Sequence, residues 1–393
     1  MLQRWRLDLS AVLLYFALGA MFSAVPRYVH EDLGGTRALS GFSVSVFFLA
    51  AVLTRPIAGR MVDRYGGRPC ILGGSLLVAL GMVAMTAATA IPAVLALRFT
   101  QGVAGSAFYV AAVTASTDIA GPARRASAVS QLSFAIYLGF ALGPAVGERL
   151  ADIGFKAAWL ALGAVAAIAS AVAVSVPETR PVSGRERTLR STGYRFGFLH
   201  PVAVLPGLTL LALGVGYVSV TSQSALYARA VGIGSSSSLF GAYAITILVV
   251  RLVAGRLADR IGPVNVMFPG MAALVSGCSV WSLVQSPVSA YAGAVLIGAG
   301  WALVFPALTA WLAARVSDAE RGAAIGSLVA FMDAGQGMGG YAVGAIADRF
   351  GFGWAFALPA ALALCGTVVL MLAVRRYRDE YRAGAFAAAD TAP

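Results

Sequence analysis

One acidic residue stands deep inside a long apolar stretch of this sequence: Asp333, in AFMDAGQGMGG. On a helix, Gln336, Gly337 and Gly340 share its face, because they follow it at steps of three, four and seven residues. Loss of hydration disfavours the charged form of a carboxyl group, so such a residue can exchange protons near physiological pH. We predict that Asp333 binds protons or a cation. The alternative is an aspartate that is bonded to a polar neighbour and does not titrate.

A basic residue, Arg98, lies one to two turns inside another apolar stretch, RFTQGVAGSA. Gln101, Gly102 and Gly105 follow it on the same helical face. A charge at this depth is costly, so it must meet a partner or a cavity. We predict that Arg98 lines a central cavity and tunes proton or substrate binding. The alternative is a structural arginine bonded to backbone carbonyls of the first span, since the first half offers no obvious acidic partner.

Polar and aromatic side chains recur inside the apolar stretches, most densely in YVSVTSQSALY, where Tyr217, Thr221 and Ser224 share one helical face. Taken singly, each aromatic residue is equally compatible with packing or lipid contact. As a group they suit a lipophilic molecule better than a sugar, because sugar sites need several carboxylates and amides. The predicted cavity residues are Tyr15, Phe22, Gln101, Tyr109, Gln131, Tyr137, Tyr217, Thr221, Gln223, Tyr227 and Gln336. Glu148 and Asp152 are expected at the interface of the membrane with water.

The sequence offers no cluster of residues for enzymatic or metal chemistry. Its three cysteines, Cys70, Cys278 and Cys365, are far apart with no CxxC spacing, and its two histidines, His30 and His200, are isolated. We therefore expect no metal, no cofactor and no enzyme.

The composition predicts that lipid is the solvent. Of 393 residues, 59% are hydrophobic and only 12% are charged, and the mean hydropathy is +0.81. Soluble domains carry about 25% charged residues. The net charge of +12 would suit a nucleic acid, but the basic residues form short clusters between apolar runs. That distribution fits a membrane protein and excludes a nucleic-acid partner.

A span of about 20 apolar residues crosses a bilayer, and this rule predicts an all-α integral membrane protein with twelve transmembrane helices. The predicted spans are 8–29, 40–58, 70–90, 93–117, 127–149, 157–176, 203–228, 237–256, 265–286, 288–314, 323–347 and 353–374. Arginine collects in the connections on one side, which places both termini in the cytoplasm.

The chain repeats itself at an offset of 196 residues. RPIAGRMVDRYGGRP at 55–69 matches RLVAGRLADRIGPVN at 251–265 in seven positions, and Asp152 aligns with Asp348. Such a parallel duplication predicts two pseudo-symmetric halves of six helices. The predicted units are an N-terminal half at 1–177, a basic cytoplasmic linker at 178–201, a C-terminal half at 202–376 and a tail at 377–393.

Three stretches together resemble the major facilitator superfamily. The first is the loop pattern Gly59-x-x-x-Asp63-Arg64-x-Gly66-x-Arg68, and the second is Arg98-x-x-Gln101-Gly102. The third, Gly139-x-x-x-Gly143-Pro144-x-x-Gly147, resembles what twelve-span drug/proton antiporters carry.

The resemblance implies a cytoplasmic latch in which Asp63 caps a helix of the other half. Its residues would be Gly59, Asp63, Arg64, Arg68 and Asp118, with Gly255, Asp259 and Arg260 in the second copy. Gly59 would allow close helix packing, and Arg64 and Arg68 would pair with Asp118. The alternative is that these arginines only set topology. The second copy departs from the pattern, because Pro263 follows Gly262.

The resemblance also implies that Gly139, Gly143, Pro144 and Gly147 form a packing stripe that seals the cavity. It further implies proton-coupled efflux of small lipophilic molecules of drug or antibiotic type, by alternating access across the bacterial inner membrane. The alternative is a proton-coupled importer or facilitator of a nutrient or metabolite. The expected partners are a small-molecule substrate, protons and lipid, and we expect a monomer.

Overall fold

The computed structural model describes residues 4–120, 125–178, 199–317 and 320–390, and these residues contain helices and no strand. Most of the predicted linker at 178–201 lies outside them, so that prediction stays untested. Side chains are described as far as Tyr377, with gaps at 121–126, 130, 254–259 and 318–319.

The first half of the chain forms six helices: α1 Arg4–Glu31, α2 Arg37–Tyr65, α3 Gly67–Ala84, α4 Ile91–Ala120, α5 Arg125–Ile153 and α6 Phe155–Val174. The second half begins with α7 Val204–Ala230, α8 Ser236–Ile261, α9 Pro263–Leu283 and α10 Pro287–Ala313. The last helical element, Arg321–Asp390, is interrupted at Gly351, whose φ is 83°. We call its two arms α11 (321–350) and α12 (352–390).

Eleven helices of the described part are long and apolar enough to cross a membrane, and the last of them, Arg321–Tyr377, has 57 residues. Helices satisfy every backbone N–H and C=O within the segment, which hydrocarbon requires because it offers no hydrogen bonds. The predicted class, an all-helical multi-pass membrane protein, is confirmed.

Two hydrophobic cores form, one in each half of the chain. The first is built around buried side chains such as Leu14, Phe22 and Trp159. The second is built around Tyr227, Trp281 and Trp311. Apart from Val218 in the first core and Ala141 in the second, the buried side chains described in each core come from one half of the chain.

The duplicated loop contains a duplicated glycine turn. Gly66 between α2 and α3 has φ 95°, and Gly262 between α8 and α9 has φ 82°. Residues with a side chain rarely adopt a positive φ. The turn therefore explains why both copies of the motif have glycine at this position. We call the end of the molecule with these turns the arginine-rich end, since Arg60, Arg64 and Arg260 flank them. The other is the opposite end.

Glycine stripes hold each half together. A Cβ on Gly139 would lie 2.6 Å from the Phe16 N of α1, and a Cβ on Gly143 would lie 2.6 Å from the Ala20 N of α1. In the second half, a Cβ on Gly339 would lie 2.8 Å from the Val215 Cα of α7. Only glycine allows these backbones to approach so closely. Pro144 lies within α5, and its carbonyl accepts a hydrogen bond from the Ser23 hydroxyl of α1 at 3.0 Å.

Candidate functional site

A cavity of about 910 Å³, including the open space at its mouth, lies between the two halves. Its walls come from α1, α2, α4 and α5 of the first half and from α7, α8, α10 and α11 of the second. Ten aromatic side chains line it: Tyr15, Phe47, Phe48, Tyr109, Tyr137, Phe140, Tyr217, Tyr243, Trp301 and Phe305. Three charged residues join them: Arg55, Arg251 and Asp333.

Asp333 is paired with an arginine of the other half. The Arg55 guanidinium on α2 donates a hydrogen bond to the Asp333 carboxylate on α11, and both side chains are mostly buried. Arg55 also lies over the ring of Tyr109, with 5.1 Å from its Cζ to the ring centroid. The only strongly charged link inside the cavity therefore crosses from one half to the other, among the residues described.

Arg251, the repeat counterpart of Arg55, has no such carboxylate. Its guanidinium lies over the Tyr137 ring, with 5.4 Å from Cζ to the centroid. Its Nε is buried and has no hydrogen-bond partner among the described residues. The two arginines thus occupy related positions with unequal partners: one is neutralised by Asp333 and the other only contacts an aromatic face.

Arg98 does not line the cavity, which corrects the prediction from sequence. It is fully buried within the first half, where its Nε donates to the Ser43 carbonyl at 3.1 Å and its guanidinium donates to the Gln101 side chain at 2.7 Å. Phe22 and Phe47 flank it, each 5.1 Å from its Cζ. The backbone partner is in α2, not in the first span. Arg98 is held against α2, whereas Gly105, seven residues further along the same face of α4, reaches the cavity wall.

The cavity contains five of the eleven residues predicted to line it: Tyr15, Tyr109, Tyr137, Tyr217 and Gln336. The other predicted residues are in hydrogen bonds or packing elsewhere. Phe22 stacks on Phe140 in the first core, and Gln101 holds Arg98. Gln131 bonds Arg4 and Asp8 at the start of α1.

Three predicted residues of α7 also lie outside the cavity. Thr221 bonds the Tyr217 carbonyl of its own helix at 3.1 Å. Gln223 donates to the Arg37 carbonyl of the first half at 3.1 Å. Tyr227 packs on Trp281 and Phe356 in the second core. The polar character of α7 therefore serves helix contacts as much as the cavity.

The repeated aspartates, Asp152 and Asp348, both contact the beginning of a helix in the other half. The Asp348 carboxylate on α11 accepts hydrogen bonds from the Arg37 N at 3.0 Å and the Ala38 N at 2.9 Å, which caps α2. The Asp152 carboxylate on α5 accepts one from the Ser235 hydroxyl, just before α8, at 2.9 Å. An acidic group at a helix N-terminus is favoured by its free N–H groups. We call these two contacts the paired aspartate seal.

Glu148 was expected at the membrane interface, but its side chain is fully buried. Arg27 of α1 donates to it at 3.3 Å and to Asp152 at 2.7 Å, and the Ser236 hydroxyl of α8 also bonds Glu148. At the same end, Glu31 pairs with Arg229 of the second half. Glu148 is therefore a second buried carboxylate beside Asp333, and it lies at the opposite end and not in the cavity wall.

Backbone contact between α2 and α11 adds to the closure at the opposite end. The Ser45 hydroxyl donates to the Gln336 carbonyl at 2.7 Å and accepts from the Gly340 N at 2.9 Å. A Cβ on Gly41 would collide with the Gly340 carbonyl. The halves therefore pack tightly from the cavity to the opposite end.

The predicted latch residues lie at the arginine-rich end. Gly59 makes no close helix contact, because a Cβ there would meet nothing within 4 Å; in this arrangement the predicted close packing is absent. Arg64 stacks on its neighbour Tyr65, and Arg68 donates to the Val174 carbonyl of α6 at 2.6 Å. Asp63 and Asp118 lie at the ends of α2 and α4, and Arg260 is exposed at the end of α8. Gly255 and Asp259 lie where no side chains are described.

Sequence reasoning missed Arg55, Arg251 and Trp301 as cavity residues. A signal was available for the arginines, because both fall inside predicted spans at the repeat offset and an arginine at that depth needs a partner or a cavity. The sequence around Trp301 gives no such signal, since an aromatic residue in an apolar run fits a hydrophobic core as well as a cavity wall.

A largely apolar cavity between two halves of a helical membrane protein is the arrangement of a transporter. The chain belongs to the Major Facilitator Superfamily, whose family model matches residues 7–238 and 204–391. An uncharacterized MFS-type transporter of Salmonella typhimurium is 28% identical over 386 residues, which cover 95% of this chain and 97% of that protein. The family assignment made from the loop motifs is confirmed, and it indicates a transporter and not an enzyme.

Solved structures share the fold. A D-xylose-proton symporter aligns with a TM-score of 0.77 at 15% identity, over 93% of this chain and 96% of that one. A bacterial homolog of the human lysosomal transporter Spinster, in an inward-facing and occupied conformation, aligns with a TM-score of 0.74 at 15% identity, over 95% of this chain and 96% of that one.

Proposed function

We propose that this chain exports small lipophilic organic molecules across the bacterial inner membrane in exchange for protons, as drug/proton antiporters do. The observation that carries the proposal is the aromatic cavity between the halves, crossed by the Arg55–Asp333 ion pair. Aromatic walls favour a lipophilic substrate, because they offer large apolar faces and few hydrogen-bonding groups.

Asp333 is the residue at which we place proton coupling. It belongs to α11 and its partner Arg55 belongs to α2, so the charge on Asp333 acts directly on the contact between the halves. A proton on Asp333 removes that attraction and frees the halves to move against each other. One charge that crosses the membrane potential supplies about 2.3 kcal/mol per 100 mV, enough to drive such a step.

In an alternating-access cycle, the cavity opens to one side of the membrane at a time, so one end of the molecule is closed in each state. We propose twelve spans in two halves, a monomer, and cytoplasmic termini, with the arginine-rich end in the cytoplasm. The paired aspartate seal and the Ser45 contacts close the opposite end, so the structure corresponds to the inward-facing state. The latch of Gly59 and Asp63 would form in the outward-facing state, which is consistent with the open space beside Gly59.

Transport in everted membrane vesicles tests this function. Neutral Nile red, anionic fluorescein and cationic ethidium serve as fluorescent probes of three charge classes. At least one should accumulate when the vesicle interior is acidified, and a protonophore should abolish the accumulation. Asp333→Asn should also abolish it while the protein stays folded, because an amide cannot carry the proton.

Asp32→Asn is the matched control, since Asp32 is an exposed residue in the connection after α1 and outside the cavity. It should accumulate the probe as the parent protein does. Normal proton-driven accumulation by Asp333→Asn contradicts the coupling role, and no accumulation of any probe by folded protein contradicts export.

The same ion pair also favours a second function, the uptake of an organic acid together with a proton. A substrate carboxylate that took Arg55 from Asp333 would leave Asp333 without its counter-charge, and Asp333 would then take up a proton. Substrate and proton would bind together, as a symporter requires. Proteoliposomes with acid outside distinguish the two functions: uptake driven by external acid supports the symporter, and accumulation in acid-loaded everted vesicles supports export.

A further inference from the structure

The charges in the cavity do not cancel. Among the described residues that line it, three are charged: Arg55 is neutralised by Asp333, which leaves the guanidinium of Arg251 as a net positive charge. Arg251 makes no hydrogen bond or ion pair with any described residue, and its Nε is buried. Arg251 is partly buried, and a charge without a counter-charge is costly inside a membrane protein, so it calls for a partner that arrives from outside the protein.

The surroundings of Arg251 suit an aromatic partner. Tyr137, over whose ring the guanidinium lies, packs against Phe305 with ring centroids 4.5 Å apart. Tyr217 and Trp301 pack edge to face with centroids 5.3 Å apart on the same cavity wall. These rings offer flat apolar faces close to a cationic donor that carries several N–H groups.

We propose that the substrate is an organic monoanion with an aromatic body, and that Arg251 binds its anionic group. A guanidinium and a carboxylate form strong charge-assisted hydrogen bonds, especially away from bulk water. Bound there, a single negative charge brings the cavity to neutrality, whereas a cation would raise its charge further. Arg251 is the anchor in preference to Arg55, because at Arg55 the substrate must displace Asp333.

This inference rests on the proposed transport function and names its substrate class. It accompanies the export function, in which Asp333 takes the proton and Arg251 binds the substrate; the uptake mechanism described above would instead place the substrate carboxylate on Arg55. It also explains why the two repeat copies keep an arginine at related positions with unequal partners: one arginine links the halves and the other binds the substrate.

Binding to the purified full chain tests the inference without any need for transport. Three probes share one ring system and differ in charge: 2-naphthoate, neutral 2-naphthamide and the cationic 2-naphthylmethylammonium. Calorimetry near neutral pH in mild detergent should show naphthoate bound at least about tenfold more tightly than naphthamide, since a hydrogen bond to a charged group is worth about 1.5–3 kcal/mol. The ammonium probe should bind most weakly.

Two variants locate the effect. Arg251→Gln should remove the preference for naphthoate over naphthamide, so that the two probes bind about equally. Asp333→Asn leaves Arg55 without its carboxylate and should tighten naphthoate binding, an increase that a misfolded protein cannot produce. Arg60→Gln is the control, since it removes the same charge from an exposed position on α2 outside the cavity, and it should leave the preference intact.

Equal binding of naphthoate and naphthamide, tightest binding of the ammonium probe, or no binding of any probe overturns the inference. So does an Arg251→Gln variant that keeps the full preference. The transport proposal can fail while the anion site holds. If the protein binds naphthoate through Arg251 but transports no probe, the result contradicts transport and supports the anion site. Proton-driven transport of Nile red without a naphthoate preference contradicts only the anion site.

Discussion

At the scale of single residues, three arginines inside the helices, Arg55, Arg98 and Arg251, have different partners that their sequence contexts do not reveal. Arg98 is bonded within one half to Ser43 and Gln101, Arg55 links the halves through Asp333, and Arg251 faces the cavity without a carboxylate. The partners of each arginine differ, and on these differences rest the proposals that Arg55 takes part in coupling and that Arg251 binds the substrate.

The Arg55–Asp333 pair should show strong energetic coupling. Because both groups are mostly buried, removal of one leaves the other poorly compensated, and we expect a coupling energy of about 1–3 kcal/mol in a double-mutant cycle of Arg55→Gln and Asp333→Asn. The measurement is the unfolding free energy of the purified protein in mild detergent.

The pair of Glu31 and Arg229 is the control for this cycle, since the Arg229 side chain is 40% exposed. Exposed pairs contribute about 0.2–1 kcal/mol, so the same cycle on Glu31→Gln and Arg229→Gln should give a smaller coupling. A larger value at the exposed pair would contradict the central place given to Arg55 and Asp333.

At the scale of helices, the same residue type has opposite effects in two motifs. Gly143 lets α5 touch α1, where an added Cβ would lie 2.6 Å from the Ala20 N, whereas a Cβ on Gly59 would meet nothing within 4 Å. The glycine of the stripe is required by the structure as it stands. The glycine of the loop motif is not required by any close contact in this structure; under the proposed cycle it would be required in the outward-facing state.

Gly143→Ala and Gly59→Ala separate these two cases. We expect Gly143→Ala to lower the unfolding free energy by about 1–3 kcal/mol, because α5 must move away from α1. Gly59→Ala should leave it unchanged or raise it by up to about 1 kcal/mol, since alanine is the better helix former.

Thermal unfolding compares the stability of the two variants with that of the parent protein. A transport assay then shows whether the stable Gly59→Ala variant still transports. Loss of transport without loss of stability would indicate that Gly59 is needed for close packing in the outward-facing state. Equal destabilisation by both substitutions would contradict the packing described for α5.

At the scale of the whole molecule, the two halves hold together at one end through contacts that the duplication repeats. Asp348 caps α2 and Asp152 contacts the start of α8, so each half supplies an aspartate to the other. Glu148 and Arg27 extend this network beneath Asp152. The closure combines these hydrogen bonds with the close packing of α2 on α11 at Gly41 and Gly340.

Asp348→Ala should shift the molecule towards the state that is open at the opposite end. Loss of a helix cap costs about 1 kcal/mol, which changes a two-state ratio about fivefold. Spin labels at Met61 on α2 and Leu252 on α8, in a background without the three native cysteines, report the distance between the halves at the arginine-rich end. That distance should shorten in the variant, as the proposed latch forms.

Asp32→Ala is the control for this experiment, because Asp32 is an exposed residue at the same end and does not cap α2. Its distance distribution should match that of the parent protein. An unchanged distribution in Asp348→Ala would show that the paired aspartate seal does not hold the state described.

The fold was largely predictable from the sequence, because the properties that determine it belong to short segments of the chain. Long apolar runs must become helices in lipid, and the repeat at 196 residues predicted which loops are equivalent. The positive-φ turns at Gly66 and Gly262 fall inside the motif stretches that the sequence singled out. The site was predicted less well: five of the eleven predicted residues line the cavity, whereas the other six and Arg98 lie outside it.

The sequence by itself determined that this chain is a helical membrane protein of the Major Facilitator Superfamily with an acid, Asp333, inside it. Only the tertiary structure decided that Asp333 meets Arg55 of the other half, that Arg251 has no carboxylate, and that Glu148 is buried. The reason is geometric. The hydrophobicity of a segment can be read from its own residues. The partner of a buried charge depends instead on how each helix is rotated and on residues far away in the chain, 278 positions in the case of Arg55 and Asp333.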